Sequence, residues 1–489
     1  MPPASTARPS TLYRILRAVV RAATRLFFRE VAAEGLKNVP HDRGGLLVAW
    51  HPNGVVDPAV ILSRFPGRLV FGARDGLLRW PLLGALMRGL GTVPIYRAQD
   101  TPRADGAQTD EAARRGANER SLDALAAAAA SGAFTALFPE GHSHDEAHPT
   151  EIRSGAARLY ARALALAEAA GAPVPVLIPV GLHYDSKATF RSRALVVFHA
   201  PLPVSDSLRA RLVAPGEAGR AAVQEMTDAV EAALDRTARA ADDWALVRTM
   251  HRARTLIRAE AAVRTDRRVG RESHRDRALG FAQIWHAYGV RRATHPAETA
   301  ALHADVRDYD RGLRALGLDD ASLDRPPHIR PVLATLVTLG FALSLPLLAL
   351  GFTVNGPPHR LLKTLARRFS KAEKDTATVK LLGGLVLYPA AWTLAGVLAA
   401  LLRSRLDVPL LPASPVAAGL LVWLLSAAGA VAALWFSERW DEALRAVQVR
   451  VTRRRRADAL VSLRAARTDL HDRFMALREG LDLPETVAD

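Results

Sequence analysis

Three long segments in the C-terminal part of the sequence contain no charged residue, and they constrain the fold more than any other feature. They occupy residues 331–356, 381–402 and 408–437. Each exceeds the ~18 consecutive apolar residues that a membrane-spanning helix needs. Core helices of soluble proteins rarely run this far without a charge. We therefore expect residues 331–437 to be embedded in a membrane.

The charges around these segments indicate how many of them cross the membrane. Seven Lys and Arg residues lie between positions 357 and 380, and residues 453–456 are four consecutive Arg. Positively charged segments prefer the cytoplasmic side. Both stay on that side if 381–402 and roughly 416–436 form a spanning hairpin, and 331–356 is then re-entrant or shallow. Three full spans are the alternative, and they place one basic segment outside.

The two ends of the chain are basic. Residues 1–30 carry six Arg, with apolar residues between them at helical spacing and no unbroken apolar stretch of the signal-peptide kind. This pattern predicts an amphipathic helix that lies in a membrane interface with its Arg residues toward anionic lipid. A surface helix packed on its own domain is the alternative. Residues 438–489 are predicted to form a basic, cytoplasmic helical tail.

The charge of the whole chain indicates an anionic partner. The 66 Lys and Arg exceed the 49 Asp and Glu by 17, a balance typical of proteins that meet nucleic acid, anionic lipid or phosphorylated metabolites. No nucleic-acid-binding motif accompanies the basic residues, so we expect lipid or phosphate rather than nucleic acid. The chain has no Cys, which excludes disulfides and thiolate catalysis.

Between these regions the sequence changes from alternating patterns to purely helical ones. Residues 31–204 alternate β-rich runs with helical patterns, clearest at 110–131 and 153–170, which indicates an α/β layered domain. Residues 205–330 show helical periodicity only, and we expect a separate soluble helical region there. The strands are predicted at 46–50, 68–71, 92–96, 134–138, 174–180 and 194–198.

A histidine and an aspartate follow the first of these strands. The stretch runs from Trp50 to Pro58 and places His51 six residues before Asp57, across a turn. In such an arrangement a carboxylate can fix the imidazole tautomer while the other ring nitrogen takes a proton. About one His-x5-Asp pair is expected by chance in a chain with this many His. The motifs that follow are what favour a functional role for this pair.

Those motifs are Gly-Thr-Val-Pro-Ile-Tyr-Arg at 91–97, Phe-Pro-Glu-Gly-His-Ser-His-Asp at 138–145, Arg-Ser-Gly-Ala-Ala-Arg at 153–158 and Val-Leu-Ile-Pro-Val at 176–180. In this order and spacing, with the His51 motif, they resemble the four motifs of the glycerolipid acyltransferases over about residues 30–205. The five residues between His51 and Asp57, and the Ser-His after Phe-Pro-Glu-Gly-His, are similar to the branch of fungal and bacterial glycerol-3-phosphate and dihydroxyacetone-phosphate acyltransferases. The same branch has a membrane-embedded C-terminal part. Further residues that fit it are Tyr184, Lys187, Phe190, Arg191 and Ser192.

The resemblance implies a glycerolipid-acyltransferase-like mixed sheet flanked by helices, and a direct acyl transfer without a covalent intermediate. His51 is then the candidate base for the acceptor hydroxyl, and Asp57 orients it. Guanidinium groups match phosphate bidentately, so Arg97 and Arg158 are the candidate phosphate ligands. The third motif lacks the Arg that is more common in the family, which leaves one phosphate-binding cation unassigned. The remaining predicted substrate-binding residues are Asn53, Glu140, Gly141 and Ser143.

Each of these residues also has a purely structural interpretation. Arg97 and Arg158 are then surface charges, Glu140 caps a helix, and His51 is a buried, hydrogen-bonded histidine. Four motifs in the family's order favour the functional interpretation. The His residues at 142, 144 and 148 suggest a metal site, but no step of acyl transfer needs a metal, and we predict none.

The predicted function is transfer of a fatty acyl group to glycerol 3-phosphate or dihydroxyacetone phosphate in phospholipid synthesis, by an integral enzyme of the cell membrane with a cytoplasmic catalytic domain. The donor is acyl-CoA or acyl carrier protein, without a further cofactor. One alternative is acylation of lysophosphatidic acid or another lysophospholipid. A second is a non-catalytic lipid-binding protein on the same scaffold. A third, a transporter, is disfavoured because the apolar segments contain no ionisable residue.

Overall fold

The computed structural model has two compact units. It describes residues 9–96, 107–238, 244–270, 272–326, 331–370, 372–406 and 408–485. The first unit comprises residues 1–244 with two short later segments, 371–378 and 486–489. The second unit comprises 245–370 and 379–485.

The first unit is built on a seven-stranded mixed sheet. Its strand order is β1-β7-β6-β2-β5-β3-β4, and every neighbouring pair is parallel except β6 with β7. The predicted α/β class with a mixed sheet is therefore confirmed. The strands are β1 (Glu30–Glu34), β2 (Gly45–Ala49), β3 (Leu69–Arg74), β4 (Val93–Ile95), β5 (Phe134–Leu137), β6 (Val176–Tyr184) and β7 (Arg193–Phe198).

Helices cover both faces of this sheet. On one face, apolar side chains of β2 and β6 pack against α5, α6, α7 and α8 in a single buried cluster. On the other face α1 and α2 lie against the sheet, and Phe65 just beyond α2 contacts Phe134 of β5 at a ring-centroid distance of 5.1 Å. The helices are α1 (Thr11–Phe27), α2 (Val56–Arg64), α3 (Asp75–Leu78), α4 (Pro81–Gly89), α5 (Ala107–Ala130), α6 (Gly155–Ala169), α7 (Asp206–Val213) and α8 (Gly216–Ala238).

The sequence pattern located six of the seven strands and missed β1. This strand reads Glu-Val-Ala-Ala-Glu, and only Val31 is buried. It lies at the edge of the sheet, where a single neighbour, β7, pairs with it. One covered side chain produces no alternating pattern, so the hydrophobic periodicity carries no signal there.

The compact unit continues beyond the predicted boundary at residue 204. Leu208 and Leu212 of α7 and Met226, Val230 and Leu234 of α8 are buried in the same cluster as the sheet residues. Their helices therefore belong to the α/β unit rather than to a separate helical region. The unit ends at Trp244, at the start of α9.

Helix α1 packs on its own unit through one face. The Tyr13 hydroxyl accepts a 2.9 Å hydrogen bond from the backbone N–H of Leu69. Arg17 donates to the carbonyl oxygen of Leu62 (3.2 Å) and Arg21 donates to that of Ser63 (3.2 Å), both in α2. These two guanidiniums thus bind helix carbonyls instead of pointing to lipid. The opposite face leaves an exposed apolar stripe of Leu12, Ile15, Val19 and Leu26.

The second unit is helical, as the pattern of its residues predicts. An apolar cluster from α9, α11, α12, α15 and α16 forms its core. Beside this core, Arg467 of α16 is 1% exposed and donates to the carboxylates of Glu260 (2.9 Å) and Asp324 (2.7 Å). The helices are α9 (Trp244–Arg264), α10 (His274–Thr294), α11 (Pro296–Ala315), α12 (Asp320–Asp324), α13 (Pro331–Phe369), α14 (Glu373–Arg405), α15 (Pro415–Arg455) and α16 (Ala457–Arg478).

Two helices in the described part of the chain, α14 and α15, are long and apolar enough to cross a membrane. The segment expected to be re-entrant or shallow is part of α13, one continuous helix that contains Pro346. A continuous helix does not turn back within the segment, so the re-entrant alternative is wrong, and the shallow position stays a prediction. Small residues bring these helices close together, since a Cβ at Gly351 of α13 would lie 2.4 Å from the carbonyl oxygen of Gly429 of α15. The Asn355 side chain of α13 donates to the Ser426 carbonyl oxygen (3.2 Å) and accepts from the Trp392 indole (2.7 Å). Small residues and one shared amide are the contacts that hold helices together without a hydrophobic driving force.

Candidate active site

The candidate site lies where three parallel strands end. His51 follows β2, Glu140 follows β5, and Tyr184 is the last residue of β6. Strand β2 is parallel to both of its neighbours, so all three carboxyl ends lie at one edge of the sheet. Ligands bind at such edges in α/β proteins because side chains from several strands converge there.

His51 and Asp57 form the predicted pair. The Nδ1 atom of His51 lies 2.8 Å from Oδ2 of Asp57. Asp57 is in the first turn of α2 and fully buried, whereas the His51 side chain is 15% exposed. Within the described part of the chain, no residue forms a hydrogen bond with Nε2 of His51. The carboxylate thus holds one ring nitrogen, and the other remains available for a proton.

Asp57 is itself held in place by two further donors. The backbone N–H of Asn53 donates to Oδ2 at 2.7 Å, and the Tyr184 hydroxyl donates to Oδ1 at 2.6 Å. Burial raises the pKa of Tyr184 well above its ordinary value of 10, and the neighbouring Asp57 carboxylate raises it further. The phenol therefore stays protonated and keeps donating. Tyr184 is among the residues that fit the family branch, but its contact with Asp57 is not evident from the sequence.

Asn53 supports the loop that carries His51. Its side chain is fully buried, and its Nδ2 donates to the carbonyl oxygen of Lys187 at 3.0 Å. Residue 54 is a glycine with a φ of +49°, a left-handed conformation that bulkier residues rarely adopt. The Asn53 side chain is thus buried and bound to the backbone of Lys187.

Glu140 fixes the backbone of His51. Its Oε2 accepts a 2.6 Å hydrogen bond from the His51 N–H, and its Oε1 contacts His144 Nε2 (2.5 Å) and the Thr150 N–H (2.9 Å). Glu140 is fully buried and both oxygens are occupied by protein groups. This carboxylate caps no helix. It joins the His51 turn to the loop of residues 140–150, here called the 140–150 loop.

Gly141 and Ser143 lie in that loop. Gly141 has a φ of +75°, and a Cβ there would lie 3.3 Å from Nη1 of Arg153. The Arg153 guanidinium therefore rests against the glycine of the Phe-Pro-Glu-Gly motif, although sequence reasoning gave this residue no role. Ser143 is half-buried, and its carbonyl oxygen accepts a hydrogen bond from Lys374, at 2.6 Å.

Of the two predicted phosphate ligands, the structure describes only Arg158. Arg158 lies in the first turn of α6, is 46% exposed, and forms an ion pair with Glu119 of α5 at 2.7 Å. Glu119 also contacts Arg162, so the two arginines share one carboxylate. Arg97 lies outside the described residues. Among the described residues, no three His, Asp or Glu side chains converge as a potential metal site.

Comparison with known proteins agrees with this geometry. Residues 30–182 match the model of the Acyltransferase family. The matched part of the first unit, which carries His51 and Asp57 at the edge of the mixed sheet, is thus similar to an acyltransferase domain.

Two fungal proteins are similar over larger parts of the chain. An uncharacterised acyltransferase of Schizosaccharomyces pombe is 25% identical over 60% of this chain and 52% of its own length. Glycerol-3-phosphate O-acyltransferase 1 of Saccharomyces cerevisiae is 24% identical over 52% of this chain and 32% of its own. The chain thus spans about half or less of the length of these relatives. The crystal structure of the 1-acyl-sn-glycerophosphate (LPA) acyltransferase PlsC from Thermotoga maritima is 20% identical, with a TM-score of 0.30 over 45% of this chain and 79% of that one.

Proposed function

We propose that this protein is a membrane acyltransferase that transfers a fatty acyl group from a thioester donor to a hydroxyl of glycerol 3-phosphate or dihydroxyacetone phosphate. The observation that carries the proposal is the His51–Asp57 pair. A base oriented by a fully buried carboxylate, with its second nitrogen available, is what removal of a hydroxyl proton requires.

The proposed reaction needs no covalent enzyme intermediate. Nε2 of His51 takes the proton of the acceptor hydroxyl while that oxygen attacks the thioester carbonyl carbon. The new C–O bond forms, the C–S bond breaks, and the departing thiolate receives the proton from the imidazolium. Asp57 stabilises that imidazolium and fixes the tautomer of the neutral ring. General-base catalysis of this kind contributes about 10²–10⁴-fold, and positioning of the substrates supplies the rest.

The acceptor class is supported by charge and by one relative. The yeast relative is named for transfer to glycerol 3-phosphate. On this chain, Arg153 lies against Gly141 and Lys374 lies on Ser143, so cations border the 140–150 loop on two residues. A phosphate group is a suitable ligand for either cation.

An activity matrix on detergent-purified full-length protein tests the acceptor. Glycerol 3-phosphate, dihydroxyacetone phosphate and lysophosphatidic acid are each offered with labelled acyl-CoA and with acyl carrier protein thioester. We expect the two small phosphates to be acylated, with kcat/KM at least tenfold above that of lysophosphatidic acid. Preference for lysophosphatidic acid would contradict the acceptor assignment, and no transfer to any acceptor would contradict the enzymatic function itself.

We propose further that α14 and α15 form a membrane hairpin, with the acyltransferase domain in the cytoplasm. Leu398 of α14 is 57% exposed and Leu420 of α15 is 61% exposed, as expected for lipid-facing positions. The chain has no Cys, so single cysteines report topology cleanly. An Ala413→Cys variant, between the two helices, should react with an impermeant maleimide in intact cells, whereas Ser131→Cys should react only after lysis. The reverse pattern would contradict the orientation.

A further inference from the structure

A segment far along the chain from the four motifs contributes a cation to the candidate site. Residues 371–378 belong to the first compact unit, although the chain on both sides belongs to the second. Thr378 accepts a 3.3 Å hydrogen bond from the N–H of Val55, in the turn between His51 and Asp57. A Cβ at Gly54 would lie 2.8 Å from the Thr378 hydroxyl. The segment is therefore packed directly on the turn that carries the candidate base.

Lys374 joins this segment to the 140–150 loop. Its backbone N–H donates to Oδ1 of Asp145 at 2.8 Å, and its ammonium donates to the carbonyl oxygen of Ser143 at 2.6 Å. The next residue in the loop, His144, donates its backbone N–H to the His51 carbonyl oxygen at 3.1 Å. Two consecutive residues of one loop thus contact Lys374 on one side and the backbone of the candidate base on the other.

Lys374 and its neighbour Lys187 differ in whether a carboxylate compensates their positive charge. The Lys187 ammonium is 5% exposed, forms a 2.6 Å ion pair with Asp145, and lies 5.1 Å from the ring centre of Trp244. Its charge is compensated and buried. Lys374 is half-buried, and no carboxylate among the described residues pairs with its ammonium. An ammonium has three donors, and the Ser143 carbonyl uses one of them.

We infer that Lys374 binds the phosphate of the acceptor and so takes the place of the arginine that the third motif lacks. An incompletely compensated ammonium, fixed beside the loop that supports His51, offers two donors and a net positive charge to an oxyanion. Arg158, the candidate from the sequence motif, instead contacts Glu119, which Arg162 also contacts. The inference rests on the proposed function, because it assumes that a phosphorylated acceptor enters the His51 site.

The test compares Lys374→Ala, Lys374→Arg and the control Glu373→Ala in the full-length enzyme. Glu373 is the exposed residue next to Lys374, and it forms no hydrogen bond or ion pair with the described site residues. We expect Lys374→Ala to raise the KM for glycerol 3-phosphate about tenfold or more, with the acyl-donor KM within about twofold. The Ki of inorganic phosphate as a competitive inhibitor should rise by a similar factor. Lys374→Arg should recover most of the loss, and Glu373→Ala should leave all constants unchanged.

A purely structural role for Lys374 would produce a different pattern. Loss of kcat with an unchanged acceptor KM and an unchanged phosphate Ki would overturn the inference, as would a loss that falls mainly on the donor KM. A melting temperature of Lys374→Ala equal to that of the wild type separates these outcomes from misfolding, and Lys374→Arg supplies the readout if the alanine variant does not fold.

Equilibrium dialysis with labelled glycerol 3-phosphate separates failure of this inference from failure of the proposed function. If the wild type binds the compound and Lys374→Ala does not, the phosphate site stands even where no acyl transfer is detected. If both proteins bind it equally, Lys374 is not the ligand, whatever the activity. If neither binds it, both the inference and the assignment of the acceptor are wrong.

Discussion

The hydroxyl of Tyr184 donates a 2.6 Å hydrogen bond to Oδ1 of Asp57, on the oxygen opposite to the one that contacts His51. The last residue of β6 therefore fixes the carboxylate that orients the candidate base. Because Asp57 is fully buried, each hydrogen bond to it offsets part of the cost of keeping a charge away from water.

Replacement of Tyr184 by Phe removes this donor without changing the ring. A hydrogen bond to a charged group is worth about 1.5–3 kcal/mol, so kcat should fall roughly ten- to a hundredfold. Asp57 then orients His51 less well, while the substrate contacts are unchanged, so both KM values should stay within about twofold. An unchanged kcat would show that Asn53 alone holds Asp57.

The same pair of proteins gives a pH prediction. Burial and Asp57 raise the pKa of Tyr184, so the phenol stays protonated up to and beyond its ordinary value of 10. The wild type and Tyr184→Phe should therefore have alkaline limbs of the same shape in their kcat profiles up to about pH 10. A limb near or below pH 10 that is present in the wild type and absent from Tyr184→Phe would show that the phenol ionises in the working range.

The His51–Asp57 pair follows from the sequence because its parts are local. A buried apolar strand followed by a turn leaves His51 at the end of β2, and six residues of chain bring Asp57 back to it. The buried strands beside it were located for the same reason, since continuous apolar runs identify them.

The other contacts of the site could not be predicted, because they join residues that are distant in sequence. Lys374 meets Asp145 across 229 residues, and Tyr184 meets Asp57 across 127. The hydrophobic periodicity of a segment predicts its local secondary structure, but it does not predict contacts with a distant segment. For Glu140, the sequence motif identifies an important carboxylate. It does not show that protein groups bind both of its oxygens.

Arg467 should be essential to the helical unit. It is almost completely buried between Glu260 and Asp324. Arg467→Leu removes the partner nearest to each carboxylate and leaves only Arg264 at 3.3 Å and Arg464 at 3.5 Å, so it should destabilise this unit by about 1.5–3 kcal/mol. Hydrogen exchange of the backbone amides of α9 and α16 measures the loss in the full-length protein. The exposed Arg478 at the end of α16 is the matched control, and its change to Leu should leave exchange unaltered. Equal protection in Arg467→Leu and the wild type would contradict the structure of this core.

The same ion pairs make the helical unit sensitive to acid. Burial alone would raise the pKa of Glu260, but hydrogen bonds from Arg467 and Thr468 outweigh it and hold this pKa below its ordinary value. A lowered carboxyl pKa stabilises the fold above the unfolded-state value, and this contribution is lost as the pH falls through the folded-state value. After correction for the intrinsic pH dependence of amide exchange, the protection of α9 and α16 should therefore fall on acidification below about pH 4.3, and this fall should be smaller in Arg467→Leu. If acid reduces protection equally in both proteins, groups other than Glu260 cause the acid sensitivity.

The exposed stripe of α1 should contact lipid. A fluorophore on Ile15→Cys, in a chain with no other Cys, should show a blue-shifted emission in vesicles that contain anionic lipid. The same fluorophore on Ser131→Cys, at the end of α5, should keep the emission wavelength of a dye in water. Because Arg17 and Arg21 bind carbonyl oxygens of α2, the remaining Arg residues supply the headgroup attraction, and salt should weaken the shift. A label on Ile15→Cys that remains in water would leave α1 as an ordinary packed helix.

The most direct test of the account is acyl transfer by His51→Ala, measured with glycerol 3-phosphate as acceptor and labelled acyl-CoA as donor. The variant lacks the base but keeps the backbone N–H that Glu140 binds, so folding and membrane association should be retained. Loss of general-base catalysis should lower kcat by about 10²–10⁴-fold, and Asp57→Asn should lose several decades as well, because the imidazole takes the wrong tautomer. Near-normal turnover by His51→Ala would contradict the proposed mechanism.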